Sequence, residues 1–250
     1  MSEVKALIFD VDGTLADTER DGHRVAFNRA FVDAGLDWDW DVVLYGKLLV
    51  VTGGKERIKY YLRDFNTTFV PPEDLDGFVA GLHAAKTEHY KALMAEGRVP
   101  LRPGVERLLR EARSAGIPLA IATTTTMDNV ISLLENTLGA ESIGWFAEIG
   151  AGDIVPAKKP APDIYLWVLE RLGLAPEHVV AFEDSGHGVT SAAEAGITRI
   201  VVTTNGYTHG QDFSRARMVL DQFGEPGMLP RRADGDSLPG PVDLVLLAAL

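Results

Sequence analysis

Short apolar runs with strand character recur at wide intervals: Ala6 to Phe9, Leu119 to Ala122, His178 to Phe182 and Arg199 to Thr203. The first three lead straight into acids or hydroxyls. Between them, stretches such as Val105 to Ala112 and Ile164 to Leu172 place apolar residues three and four apart, the period of an amphipathic helix. Strands alternating with helices imply parallel βαβ units, and so an α/β fold built on a doubly wound, Rossmann-like parallel sheet. Helix punctuation agrees. Gly116 and Gly173 follow two helical runs, and Ser185 precedes a small-residue run, Ala192, Ala193 and Ala195, that ends at Gly196.

From about Asp17 to Glu96 the alternation stops and the chain reads as helix-like throughout: Val25 to Ala34, Lys55 to Asp64, Asp74 to Met94. This predicts a core domain of residues 1–16 and 97–250 interrupted by a helical domain of residues 17–96. The second junction, Gly97 to Gly104, holds two prolines and two glycines and suits a stiff but bendable joint. Past about residue 210, Gly224 to Gly227 and Asp234 to Pro241 read as loops before a short apolar segment, Val242 to Leu250.

Composition narrows the function. The chain has 250 residues, 46% of them hydrophobic, enough for a large core. A formal net charge of -12 disfavours nucleic acid and anionic membranes as partners, while leaving small phosphorylated molecules open. There is no cysteine, which excludes disulfides, thiolate metal sites and cysteine nucleophiles. Neither a signal-peptide pattern at the N-terminus nor an apolar run near the roughly 18 residues of a membrane helix is present, so a cytoplasmic protein is expected. No obligate protein partner is evident.

Asp10 and Asp12 follow an apolar strand, and period-two alternation points both side chains to the same side at its carboxyl end, where open α/β sheets bind ligands. Two carboxylates there can hold a metal. Gly13 and Thr14 suit a turn whose backbone amides approach an anion closely, with Thr14 supporting the local hydrogen bonds. The plain alternative for Asp10 to Thr14 is an acidic turn closing a strand.

In this context Asp10-Val11-Asp12-Gly13-Thr14 resembles the first signature of the haloacid-dehalogenase superfamily. The later signatures follow in order: Thr123 ending the strand Leu119 to Ala122, Lys159 in Lys159-Pro160-Ala161-Pro162-Asp163, and Glu183-Asp184 after Val179 to Phe182. The resemblance implies Asp10 as nucleophile, Asp12 as general acid and base, and Thr123 and Lys159 in the transferred-phosphate site. Lys158 is read as solvated. A cation such as Lys159 is what the chemistry requires, because an aspartate attacking a phosphate brings two anions together. For the metal, the resemblance implies the Asp10 carboxylate, the Asp12 backbone carbonyl and Asp184, with Glu183 a ligand or a supporting acid. Hard oxygen ligands favour Mg2+. Thr124, Thr125 and Thr126 read equally well as a helix cap or as groups that reach the substrate.

The inserted helices resemble the cap of the subclass that holds phosphoglycolate phosphatase, β-phosphoglucomutase and the CbbY sugar phosphatases. The likeness is closest to the CbbY group, through Ala6 to Asp10, Ala26-Phe27-Asn28, the Gly-Gly-Lys loop and Lys158 to Asp163. It implies a phosphatase acting on xylulose-1,5-bisphosphate. Gly53, Gly54, Lys55 and Arg57 would form a substrate loop, its two cations suited to a second phosphate. Glu19 and His23 would lie near the first hinge, where members of the family contact the sugar or gate the catalytic acid, although a lone histidine is more often structural. The segment Asp17 to His23 is one residue longer than in the mutases, which leaves a mutase as the second reading, beside phosphoglycolate phosphatase and a non-catalytic phosphosugar-binding protein. An acid at position 12 argues against dehalogenation, since a departing halide needs no proton.

Overall fold

The structure, a computed structural model, describes residues 3–250. These divide into two compact units, one running up to Asp17 and resuming at Pro100–Leu250, the other Thr18–Val99.

The first unit is built on six parallel strands among the described residues: β1 (Ala6–Phe9), β2 (Leu119–Ala122), β3 (Phe146–Gly150), β4 (Val179–Glu183), β5 (Ile200–Thr203) and β6 (Met218–Leu220), in the order β3-β2-β1-β4-β5-β6. The strand order reverses at β1, so a crevice opens between the carboxyl ends of β1 and β4, the place where doubly wound sheets bind ligands. Register puts Phe9 beside both Phe182 and Ile121, so the residues after β1, β2 and β4 emerge together. The rings of Phe9 and Phe182 stack at 4.4 Å.

The central strands are covered on both faces, which is why they read as unbroken apolar runs rather than as alternation. On one face Ala6, Ile8, Ala120, Ala181 and Ile200 pack with Ile164 and Val168 of a helix over Asp163–Leu172 and with Val189 and Ala192 of another over Gly186–Glu194. Fully burying one such aliphatic side chain contributes about 1.5–3 kcal/mol. Ser185 caps the second of these helices by accepting from the Gly188 amide, and Gly173 ends the first in the left-handed conformation.

The sheet unit also holds elements that the four apolar runs do not mark. Strand β3 carries no continuous apolar run because it is a sheet edge, with Ala147 exposed and Glu148 half-buried, and β6, the other edge, is apolar but only three residues long. Residues Leu244–Ala248 form a short helix, capped by Asp243 accepting from the Leu246 amide, where only an apolar segment was read.

The second unit consists of α1 (Arg24–Asp33), α2 (Val42–Leu48), α3 (Gly54–Asp64) and α4 (Leu75–Ala95) among the described residues. It is not helical throughout: residues 34–41 and 65–74 are irregular. The first of these connections is pinned by Asn28, whose amide bonds both backbone groups of Trp40, at 2.9 and 3.1 Å. Trp40 is thereby held in an aromatic core with Phe27, Phe31 and Tyr61.

Candidate active site

Lys159 links Asp10, the residue after β1, to Ala122 and Glu183, the last residues of β2 and β4. Lys159 donates from Nζ to Asp10 Oδ1 at 2.7 Å, to Glu183 Oε1 at 2.6 Å and to the Ala122 carbonyl at 2.8 Å. It is 5% exposed, so this triple engagement compensates a buried ammonium. The turn that delivers it has a cis Lys159-Pro160 bond, the Ala161 amide donating to the Lys158 carbonyl, and the Ser191 hydroxyl donating to the Ala161 carbonyl. Lys158, read as solvated, is instead half-buried and pairs with Asp153 at 3.2 Å.

Asp10, Glu183 and Asp184 each offer an oxygen within 4.8 Å of the others, and all three are buried. Burial pushes the Asp10 carboxyl up to about 7, with Glu183 and Asp12 adding to the rise and the Lys159 charge opposing it. Burial, then Asp10 and Glu183, also push Asp184 well above the carboxylate range. Burial works against the Lys159 charge, but Asp10 and Glu183 outweigh it and raise its proton affinity. Buried carboxylates that resist ionisation in this way lack positive charge, and a divalent cation with hard oxygen preference supplies it. The donor set therefore fits a metal ion. The Asp12 side chain, half-buried, lies outside this carboxylate group, as a backbone-carbonyl contribution would leave it.

Glu183 is 1% exposed and gives its Oε1 to Lys159 and to the Tyr165 hydroxyl, while its Oε2 is buried with no hydrogen-bond partner. Asp184 Oδ2 accepts from Asn205 Nδ2 at 2.7 Å. Two glycines make room for these acids. Gly13 has φ +86° and a Cβ there would collide with the Asp184 carboxylate; a Cβ on Gly188 would collide with Glu183. In an ordinary helix, alanine in place of glycine stabilises by roughly 0.5–1 kcal/mol. Gly188→Ala is expected to do the opposite, lowering the thermal midpoint and activity together. An unchanged or higher midpoint would show that Glu183 does not need that space.

Thr14 supports the turn through its backbone, its amide donating to the Val11 carbonyl at 3.2 Å beside Leu15 N to the same carbonyl at 2.9 Å, while its hydroxyl is buried without a hydrogen-bond partner. Thr123, 1% exposed, accepts weakly from the Thr125 amide at 3.3 Å. Of the following threonines, Thr126 caps the next helix (Met127–Leu138), Thr125 is buried and accepts from Asn129 Nδ2 at 2.9 Å, and Thr124 is half-buried. Sequence reasoning missed Tyr165, Asn205 and Arg102. Tyr165 reads as one more apolar position of a helix, and the other two sit in loops with no local pattern.

Within the helical unit, residues Glu19–His23 form a single π-helical turn, where the Arg24 amide donates to the Glu19 carbonyl five residues back. His23 is buried there, stacked on Tyr90 at 4.4 Å, with Lys86 Nζ at 2.8 Å from its Nδ1. Arg57 is buried; it donates to the Tyr45 hydroxyl at 2.8 Å, which in turn donates to Glu19. Gly53 begins α3 with φ +97°, and a Cβ on Gly54 would come within 2.6 Å of His83, so both glycines have local reasons as well. Lys55 is half-buried.

Residues 4–196 match the family described as haloacid dehalogenase-like hydrolase. Protein CbbY of Cupriavidus necator is 48% identical over 238 residues, 93% of this chain and 91% of that protein. The crystal structure of CbbY from Rhodobacter sphaeroides with phosphate matches with a TM-score of 0.82 and 47% identity, covering 90% of this chain and 96% of that one. A mutant of the same protein, crystallised with xylulose-1,5-bisphosphate, matches with a TM-score of 0.82 and 46% identity over the same shares. This chain therefore belongs to the haloacid dehalogenase-like hydrolases, and within them it is a phosphatase of the CbbY type.

Proposed function

We propose that the chain is a Mg2+-dependent phosphatase that hydrolyses xylulose-1,5-bisphosphate to xylulose-5-phosphate and inorganic phosphate through an aspartyl-phosphate on Asp10. The observation that carries the chemistry is the buried set Asp10, Lys159, Glu183 and Asp184 at the switch point of the sheet. Support for the substrate comes from the similar CbbY of Rhodobacter sphaeroides, crystallised with that bisphosphate.

In this reading Lys159 holds Asp10 Oδ1, which turns the other oxygen of the carboxylate toward phosphorus. That oxygen attacks, the bond from phosphorus to the sugar oxygen breaks, and Asp12 gives the leaving alkoxide its proton. Asp12, now a carboxylate, takes a proton from water; the water oxygen displaces Asp10 from phosphorus, releasing phosphate and restoring both acids. Lys159 and the Thr123 hydroxyl offset the charge on the transferring oxygens. Asp10, Asp184 and the Asp12 carbonyl, with Glu183 as ligand or support, would hold Mg2+, which supplies charge neutralisation between nucleophile and phosphate. Domain roles follow the same reading: residues 1–16 and 97–250 carry the chemistry and residues 17–96 select the substrate.

Lys55 and Arg57 would answer the second phosphate, Arg57 being oriented by Tyr45 and Glu19. The test is phosphate release from a panel of sugar mono- and bisphosphates with Mg2+ present. Highest kcat/KM is expected with xylulose-1,5-bisphosphate, and Lys55→Ala should raise KM about tenfold for a bisphosphate, with little change for a monophosphate, since one charge-assisted hydrogen bond contributes about 1.5–3 kcal/mol. Equal effects on both substrates would remove the second-phosphate role. Isomerised sugar phosphate without free phosphate would convert the reading to a mutase.

A further inference from the structure

The loop that returns the chain to the sheet unit carries a buried cation that the chemistry above does not use. Arg102 is 7% exposed. Its backbone amide donates to the Leu15 carbonyl at 2.8 Å, next to the bridge between Ala16 and Leu101. The guanidinium donates to the carbonyls of Gly13, of Thr204 at 2.7 Å, of Asp221 at 2.7 Å and, more weakly, of Thr203 at 3.4 Å. Among the described residues it also pairs with the exposed Asp17, at 3.3 Å. A buried guanidinium spent mainly on neutral carbonyls is costly for a role that is only structural.

The segments it grips are informative. Gly13 lies so close to Asp184 that a Cβ would strike that carboxylate, and the amide of Asn205, the residue after Thr204, donates to Asp184 Oδ2 at 2.7 Å. Asp184 thus sits between two stretches of backbone, and Arg102 bonds a carbonyl in each. The planar fork can do this because its donors diverge in one plane; a lysine ammonium, a single point, cannot span the same carbonyls.

We propose that Arg102 is a positioning residue for the metal site: by tying the Gly13 turn to the Thr203–Asn205 segment, it fixes where Asp184 presents its oxygen beside Asp10. The inference rests on the reading that these acids hold Mg2+.

The measurement is calorimetric titration of the chelator-stripped, folded full-length protein with MgCl2 at neutral pH. Arg102→Lys is expected to weaken Mg2+ binding about tenfold or more, the usual effect of removing a group that orients a metal ligand. Arg107 provides the contrast, because it also donates to several carbonyls, those of Gly224, Phe223 and Val242, away from the acids. Arg107→Lys should lower thermal stability and leave Mg2+ affinity as in the wild type. Unaltered affinity in folded Arg102→Lys overturns the inference, as does an equal loss in Arg107→Lys. If Arg102→Lys does not fold, Asn205→Ala cuts the last link to Asp184 and should also weaken binding about tenfold; wild-type affinity there overturns the inference. Wild-type protein that takes up no Mg2+ would bring down the metal reading and this inference with it.

Discussion

Asp10→Asn is expected to reduce phosphate release by roughly 10^4-fold or more, because no other group can form the covalent intermediate and loss of a nucleophile removes most of the rate enhancement. The fold should survive. Asn is nearly isosteric, its carbonyl can still accept from Lys159, and it removes one negative charge from a crowded set of acids. A second signature separates this from simple damage. The Asp10 carboxyl is raised to about 7 from an ordinary 3.8, so between those values the folded protein holds a proton that the unfolded chain releases. Its contribution to stability is therefore full below about pH 4 and is lost as pH rises through about 7. In chelator, the wild type should lose stability over that window, and Asp10→Asn should lose up to roughly 1.4 kcal/mol less per pH unit. Melting curves across pH check the slope, and phosphate release checks the rate. Retained turnover would remove Asp10 from the role of nucleophile.

Lys159→Met should produce the largest loss of stability of any single change at the site. The ammonium pairs with two carboxylates that are themselves almost fully buried, and removing one partner of a buried ion pair typically costs about 3–5 kcal/mol. For a chain of this size, that corresponds to a fall in melting temperature of roughly 10 °C. The sign with pH follows from Asp10. Without the cation its carboxyl rises further, so the penalty is smaller at pH 5.5, where Asp10 carries a proton and only the loss at Glu183 remains, and grows toward pH 8. Added Mg2+ should recover part of the loss by returning positive charge to the acids. Equal destabilisation at both pH values, or a loss under about 1 kcal/mol, would contradict the charge balance drawn for the site.

Part of the molecule is legible residue by residue. Strands β1, β2, β4 and β5 stand out because both faces of the sheet are covered and every position before their carboxyl ends is apolar, whereas the edge strands β3 and β6 have no such requirement. Helices α1, α3 and α4 appear in their three- and four-residue spacing. The irregular 34–41 connection does not, because its shape comes from Asn28 bonding Trp40 across a dozen residues of chain.

The parallel α/β architecture, its interruption by helices, and the acids, threonine and lysine that follow the apolar runs can all be read along the chain. These are local properties: a burial pattern, a turn glycine, a short motif. Folding in three dimensions is what makes Lys159 bridge Asp10 and Glu183, turns the Tyr165 hydroxyl to Glu183, leaves room for Glu183 at Gly188, and lets Arg102 join the two backbone segments beside Asp184. Each depends on atoms far apart in the chain meeting in a buried space. There a charge or hydroxyl must find a partner because water cannot reach it, and no pattern along the chain encodes which partner that is.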